Sequence, residues 1–516
     1  MGAMVRALVL SAVLVGHLGL TRAENRSLTF ADAISLALAH NSELYLARVD
    51  TELADDDVAI AKSIFDRHFV LNTRYGRENQ LGSATRFGWT DSLTAGSLEL
   101  RGLTTSGTTY SVGVFSTYDR YISQFQTIYA PTYSTSFNLT VTQPLLRNAW
   151  NKATTAPIVV ASLRRDLSAQ QLTVKLEQIV GEVETAYWNL ALAHNEVSAH
   201  ESLLKVAKEQ VNESTRLVKI GTISDLDLVE AQSGVNREQQ AVLLSRQQVI
   251  DGEDRLRALI VGGPDWALED VLIPTDDPTV TPTKISMQEH LELAKKNRPD
   301  LLAVRAQLAA ARAGLDVTAN DLKPQLDVVL NANLIGFAGE PDLSTGVIGT
   351  GGFTGNPEAV GGYAKSVTNL VSAGNYAVTL GLRLDLPLGN SAALARHEHQ
   401  LNEVDRVKLA EHAVVVQFEN DIRTSVALLD SNAALQQSAD DTVKTDERLL
   451  AGMRKRFAAG TVSSYDVLRV ADELTRAQIG AARARVNYRL SLARLAIADG
   501  TLLQKYKIST TSLAAK

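Results

Sequence analysis

Two hydrophobic periods alternate along the chain, and each occurs twice. Leu172, Leu176, Ile179, Val183, Ala186, Leu190, Ala193 and Val197 step by 4 and 3 in turn, and the register continues through Leu204, Ala207, Val211 and Val218. A 4-3 repeat sustained this far predicts a long helix packed along a coiled-coil seam. Near the C-terminus Leu474, Ala477, Ala481, Ala484 and Tyr488 form a second seam, continued at Ala498, whose alanines permit close helix approach. Elsewhere the period drops to two. Tyr376, Val378, Leu380, Leu382, Leu384 and Leu386 alternate with Ala377, Thr379, Gly381, Arg383 and Asp385, a strand with one apolar and one polar face and a charge pair on the polar side. Phe137, Leu139 and Val141 against Asn138, Thr140 and Thr142 repeat the pattern, while Phe69-Leu71 and Leu326-Val328-Leu330 open two more strands.

Proline sharpens the helical prediction. All 12 prolines lie outside 158–263 and 388–516, so helix can run through both stretches. A helix from Ile158 to Lys219 would span ~93 Å, beyond any ordinary compact domain. Each stretch turns back at a shared G-T-[IV]-S-x-x-D, at Gly221 to Asp227 and at Gly460 to Asp466. The halves align at their starts as well. Leu36 to Leu44 matches Leu293 to Leu301, 257 positions later. Glycine and proline in 262–264, then Pro274, Pro278 and Pro282 among Asp and Thr, predict an extended linker. The chain therefore divides into a first structural repeat over 24–262, a linker over 263–284, a second repeat over 285–500 and a tail over 501–516.

Residues 1–23 read as a secretory signal peptide: Arg6, an apolar Ala7 to Leu20, and Thr21-Arg22-Ala23 as the cleavage site. Cleavage removes Arg6 and Arg22 and takes the formal charge from −7 to −9. No basic stripe remains to neutralise phosphates, which argues against a nucleic-acid partner. The chain has no cysteine, so stability must come from packing without disulfides. After residue 23 no apolar run approaches the ~18 residues of a membrane helix, so any membrane crossing must be a barrel. The alternating runs reach the roughly 10 residues a tilted barrel strand needs. The first half has three or four such runs, depending on whether 94–101 and 108–119 count, and the second has two. These are too few to close a barrel, and the incomplete sheet predicts partner copies. The segments 76–107 and 335–373, rich in Gly, Ser and Thr, read as the connecting loops.

These marks together resemble the TolC-like outer membrane efflux protein (OEP) family. The resemblance rests on Ala33 to Leu44 and its weaker copy His290 to Leu301, on Gln143-Pro144-Leu145-Leu146 and Leu386-Pro387-Leu388-Gly389, and on Arg456 to Leu468. It covers roughly residues 27–500. It implies a mixed α+β membrane protein, a homotrimer in which each chain gives four strands to a 12-stranded outer-membrane β-barrel continued by an α-helical coiled-coil tunnel. It implies a passive duct of a tripartite efflux or type I secretion system, set in the outer membrane of a two-membrane bacterium, among its lipids. The partners would be a periplasmic adaptor and an inner-membrane transporter, with no cofactor. The competing reading from the residues alone is a periplasmic coiled-coil adaptor or scaffold.

In the family the turns line the periplasmic aperture, which makes Asp466, Arg469, Asp227 and Glu230 aperture and gating candidates. The residues also read as helix caps, because Ser224 and Ser463 stand three positions before Asp227 and Asp466, a variant of the capping box. Arg469 departs from the family pattern, which often has a second acid there, and could pair with Asp466 or halve the charge of the aperture. Gly221, Thr222, Arg456, Phe457, Gly460, Thr461 and Val462 are hairpin-turn and adaptor-docking candidates. His397-Glu398-His399 does not have the spacing of a helical metal site, and the sequence holds no phosphate loop or nucleophile elbow, so no metal and no enzyme activity is expected.

Overall fold

A computed structural model describes residues 25–78, 88–123, 128–221, 223–260, 271–341, 355–459 and 461–508; the predicted signal peptide lies outside them. The chain forms two compact units: one of residues 1–51, 168–303 and 412–516, the other of 52–167 and 304–411. Four helices contribute to both: α2 (Ser42–Lys62), α3 (Trp150–Lys219), α6 (Pro299–Asp321) and α8 (Ser391–Ala458). Among the described residues no helix is long and apolar enough to cross a membrane.

The first unit is helical and holds α1 (Phe30–His40), α4 (Asp225–Ile260), α5 (Met287–Asn297), α9 (Ser464–Ala498) and the short α10 (Leu502–Lys505). The predicted α3 seam is buried at Leu172, Leu176, Ile179, Val183, Leu190 and Ala193, and its first five join a core with Leu256, Ile260 and Val486. Tyr187 and Trp188, off the seam, are also fully buried, with T-shaped rings 5.0 Å apart. The Arg489 guanidinium lies over the Trp188 ring at 4.2 Å, a cation-π contact.

Part of the predicted linker leaves the surface. Residues β6 (Val271–Pro274) pair in parallel with β1 (Asn25–Leu28), and Leu272 is fully buried. Tyr187 Oη lies 2.6 Å from Asp276 Oδ2 and 3.0 Å from the Leu28 carbonyl, and Asp276 also accepts from the Phe30 amide at 2.7 Å. Burial, then the Asp276 contact, pushes the Tyr187 hydroxyl up to about 12, so it stays a donor at any physiological pH.

The second unit is built on one antiparallel sheet in the order β2 (His68–Glu78), β3 (Gly88–Leu103), β4 (Thr109–Ser123), β5 (Tyr129–Pro144), β7 (Gln325–Pro341), β8 (Tyr376–Asp385). The expectation of four strands per chain is corrected: among the described residues the sheet has six. The runs at 94–101 and 108–119 belong to β3 and β4, a hairpin set into the sheet between β2 and β5. Most of the predicted loop 76–107 is thus strand. Likewise 335–373 contains the end of β7 and a helix, α7 (Tyr363–Val371). The ladders explain the outcome, since each inserted strand finds hydrogen-bonding partners on both sides, from His68↔Arg101 to Glu78↔Thr90 and from Thr109↔Thr142 to Asp119↔Thr132.

Register carries one apolar face across all six strands. Leu71 lies opposite Leu98, Leu98 opposite Val114, Val114 opposite Phe137, Phe137 opposite Leu334, and Leu334 opposite Tyr376. The other face is polar. Its Arg383 pairs with Asp327 across β7–β8 at 2.9 Å, rather than with Asp385 on its own strand. Near one end α7 lies against the apolar face, with Ser366 Oγ 2.9 Å from Thr135 Oγ1 and Asn369 Nδ2 donating to the Phe337 carbonyl at 2.8 Å. Gly336 permits this approach, because a Cβ there would meet the Ser366 carbonyl oxygen at 1.9 Å.

Candidate functional site

Two helical turns in the first unit bring together most of the sequence-predicted residues. Where α3 ends, the Gly221 amide donates to the Val218 carbonyl at 2.9 Å and Gly221 takes φ +74°, the left-handed conformation that stops helices cheaply at glycine. Ser224 then starts α4. Its backbone amide and hydroxyl both reach Asp227 Oδ2 at 2.9 Å, and the Asp227 amide donates back to Ser224 Oγ at 3.3 Å.

The second turn follows α8. The Thr461 amide and hydroxyl both donate to the Arg456 carbonyl at 3.0 Å, occupying one of the orphan acceptors at the helix end. Ser463 is the N-cap of α9 in a complete capping box: the Asp466 amide donates to Ser463 Oγ at 3.1 Å, while the Ser463 amide and hydroxyl donate to Asp466 Oδ2 at 3.0 and 2.6 Å. Hydrogen bonds from the Ser463 side chain and backbone hold the Asp466 carboxyl below its usual range, with smaller help from Arg469 and Arg456. Both aspartates therefore serve as the N3 partners of serine N-caps. Thr222 and Gly460 lie outside the described residues.

Arg469 does not bond Asp466. Its Nη1 donates to Glu473 Oε1 at 2.6 Å, one turn further along α9. An i, i+4 pair points both side chains along one helix face, whereas Asp466 is turned back onto Ser463. Glu230 and Arg456 are exposed, while Phe457 and Val462 pack inward against Leu203, Ala207, Leu450, Val467 and Leu468. Phe457 and Val462 thus anchor the turn, and Arg456 and Thr461 present its surface.

Sequence reasoning missed a charged set between α4 and α9. A small cavity of about 70 Å³ is lined by Arg237, Glu238, Tyr465, Asp472 and Arg476 together with Arg469. The spacing of Asp472 and Arg476, which pair at 2.8 Å, was readable as i, i+4, but their proximity to α4 was not. A second feature is an apolar groove of about 860 Å³ bordered by Glu177, Gly181, Arg298, Asp300, Arg494 and Ile497. Burial, with a contribution from Asp300 and against Arg298, pushes the Glu177 carboxyl up to about 8.

Comparison with known proteins adds three findings. The family described as outer membrane efflux protein matches residues 33–262 and 290–501. Protein CyaE of Bordetella pertussis is 26% identical over 288 residues, 53% of this chain and 53% of CyaE, so the chain spans about half the length of that curated relative. Among solved structures, the fold is similar to the Campylobacter jejuni CmeC outer membrane channel (TM-score 0.62, 14% identity, covering 94% of this chain and 91% of that one). It is also similar to the Vibrio cholerae outer membrane protein VceC (TM-score 0.62, 16% identity, 91% and 96%) and to the open state of the Neisseria gonorrhoeae MtrE outer membrane channel (0.59, 15%, 92% and 89%).

Proposed function

The chain belongs to the outer membrane efflux protein family, and on that premise we propose that three copies share one outer-membrane β-barrel and form a passive duct. The observation that carries this reading is the sheet of the second unit. Its apolar face is exposed along β8, with Leu380 74% accessible, and the opposite face is polar. In hydrocarbon every backbone group must be paired and no sheet edge can stay open. Six strands fall short of the roughly eight in the smallest membrane barrels, so closure requires further copies. β2 and β8 are the edges that would meet.

The helices of the first unit then form a periplasmic tunnel, with 24–262 and 285–500 acting as two structural repeats joined by 263–284. The turns at Gly221–Asp227 and Thr461–Asp466 form its aperture and the surface that an adaptor protein grips, through Arg456 and Thr461. Asp466, Asp227, Glu230 and Glu473 set four carboxylates there against the guanidiniums of Arg469 and Arg456, which favours cations at the aperture. An inner-membrane pump supplies the energy in an efflux or type I secretion assembly, and the duct performs no chemical step.

The test is conductance of the purified protein in planar lipid bilayers. The expected result is discrete, cation-preferring steps whose preference weakens in Asp466→Asn. A protein recovered without detergent that produces no steps would overturn the duct in favour of a coiled-coil adaptor.

A further inference from the structure

We infer that the β3–β4 hairpin is a full part of the membrane wall, so that three copies close a barrel of eighteen strands rather than twelve. The inference rests on the three-copy reading above but not on its strand number.

Three independent features place the hairpin in the wall. First, its ladders run almost the length of both neighbours, which an overhanging loop would not do. Second, its faces obey the alternation of the rest of the sheet. Leu98, Leu100, Val112 and Val114 continue the apolar face, with Leu98 44% and Val114 38% accessible in a single copy. Ser97, Glu99 and Ser111 lie on the polar face, where the Ser111 hydroxyl donates to Glu99 Oε1 at 2.6 Å. Third, the turn between β3 and β4 is pinned at the sheet end where α3 begins. The Trp150 amide donates to the Ser106 carbonyl at 3.0 Å, Gln143 Nε2 reaches the same carbonyl at 3.3 Å, and the Thr108 hydroxyl bonds Gln143 Oε1.

Direction is consistent with closure. Six alternating strands leave β2 and β8 antiparallel, so β8 of one copy can pair with β2 of the next in the same sense as every other neighbour. At 4.8 Å per strand and a tilt near 40°, eighteen strands give a backbone diameter of about 36 Å, and twelve give about 24 Å. Removing a side-chain layer of roughly 5 Å from each wall leaves a lumen of about 26 Å against about 14 Å. A helix is 10–12 Å across, so the wider barrel admits a packed pair of helices where the narrower admits roughly one. The barrel is thereby sized for polypeptide cargo retaining secondary structure, beyond what a small solute requires.

The absence of cysteine makes the test direct. Thr379→Cys on β8, outside the hairpin, carries one nitroxide label per chain; electron–electron dipolar spectroscopy on the full-length detergent-purified assembly reads the separation, and light scattering reads the copy number. In an eighteen-stranded trimer equivalent backbone sites are about 31 Å apart, and in a twelve-stranded trimer about 21 Å. The same label in a variant lacking 88–123, where 79–87 and 124–128 connect β2 to β5, should shorten the distance by about a third. If that variant fails to fold, the full chain alone decides. Three copies at the shorter distance would remove the hairpin from the wall and leave the three-copy duct standing. Two copies, closing twelve strands between them, would contradict the three-copy reading and the eighteen strands together.

Discussion

The chain before residue 263 contributes four strands to the large sheet, whereas the chain after residue 284 contributes two and carries α7 between them. Both arrive at a long helix by a similar route, through Gln143-Pro144-Leu145-Leu146 before α3 and Leu386-Pro387-Leu388-Gly389 before α8. The difference teaches how an antiparallel sheet can grow. A single added strand would deliver the chain to the wrong end of the sheet, whereas a hairpin returns it to the end it left. With two strands more, the first part still returns to the sheet end from which α3 starts. The hairpin turn, bonded to Gln143 and the Trp150 amide, is the stitch that ties β3 and β4 to the sheet end.

The largest effects should come from charging the apolar face in each half. Val114→Arg on β4 and Leu380→Arg on β8 are each expected to cost about 2–4 kcal/mol, falling toward the membrane interfaces, measured by urea titration of protein folded into lipid vesicles. Similar costs would place the hairpin in lipid beside the second half. A Val114→Arg cost within about 0.5 kcal/mol of zero, the usual size for a wetted surface site, would break the comparison.

The long helices differ as well. Each 27 residues after its first residue, α3 carries Glu177 and α8 carries the fully buried Phe418. Because burial raises the folded-state pKa of Glu177 to about 8, the unfolded chain releases its proton first, and stability falls as pH rises from about 4.5 toward 8. Glu177→Gln removes that slope. Its melting temperature should exceed that of the unmodified protein by a margin that widens from pH 5 to pH 8, corresponding to about 1–3 kcal/mol near neutrality.

The smallest effects distinguish the turns. Ser463→Ala and Ser224→Ala should each cost about 1 kcal/mol, read as faster amide exchange in the first turn of α9 and of α4 respectively. For Asp466, whose folded pKa is depressed, the contribution to stability is present above the unfolded value near 3.9 and is lost as pH falls through the lower folded value. Cation preference should accordingly hold between pH 8 and pH 5, a plateau that bilayer recordings can check.

Periodicity made much of this architecture legible. The 4-3 repeat of α3 and the two-residue alternation of β5 and β8 needed only local spacing, and S-x-x-D located both capping boxes. The six-strand count needed more. The runs at 94–101 and 108–119 were visible, but membership of a sheet depends on long-range ladders, and the family resemblance pulled the expectation to four. Side-chain partners were the least legible. Arg469 chose Glu473 over Asp466 because Ser463 had already engaged that carboxylate, and Arg383 chose Asp327 across the ladder. Phe457 and Val462, expected at a docking surface, are turned inward by a core that only the folded turn assembles.

The most direct measurement is the detergent-corrected mass of the protein extracted from membranes, by light scattering after size exclusion. The shared barrel predicts three copies of the chain, each 55.7 kDa before loss of the predicted signal peptide. A single copy that stays in solution without detergent would contradict it.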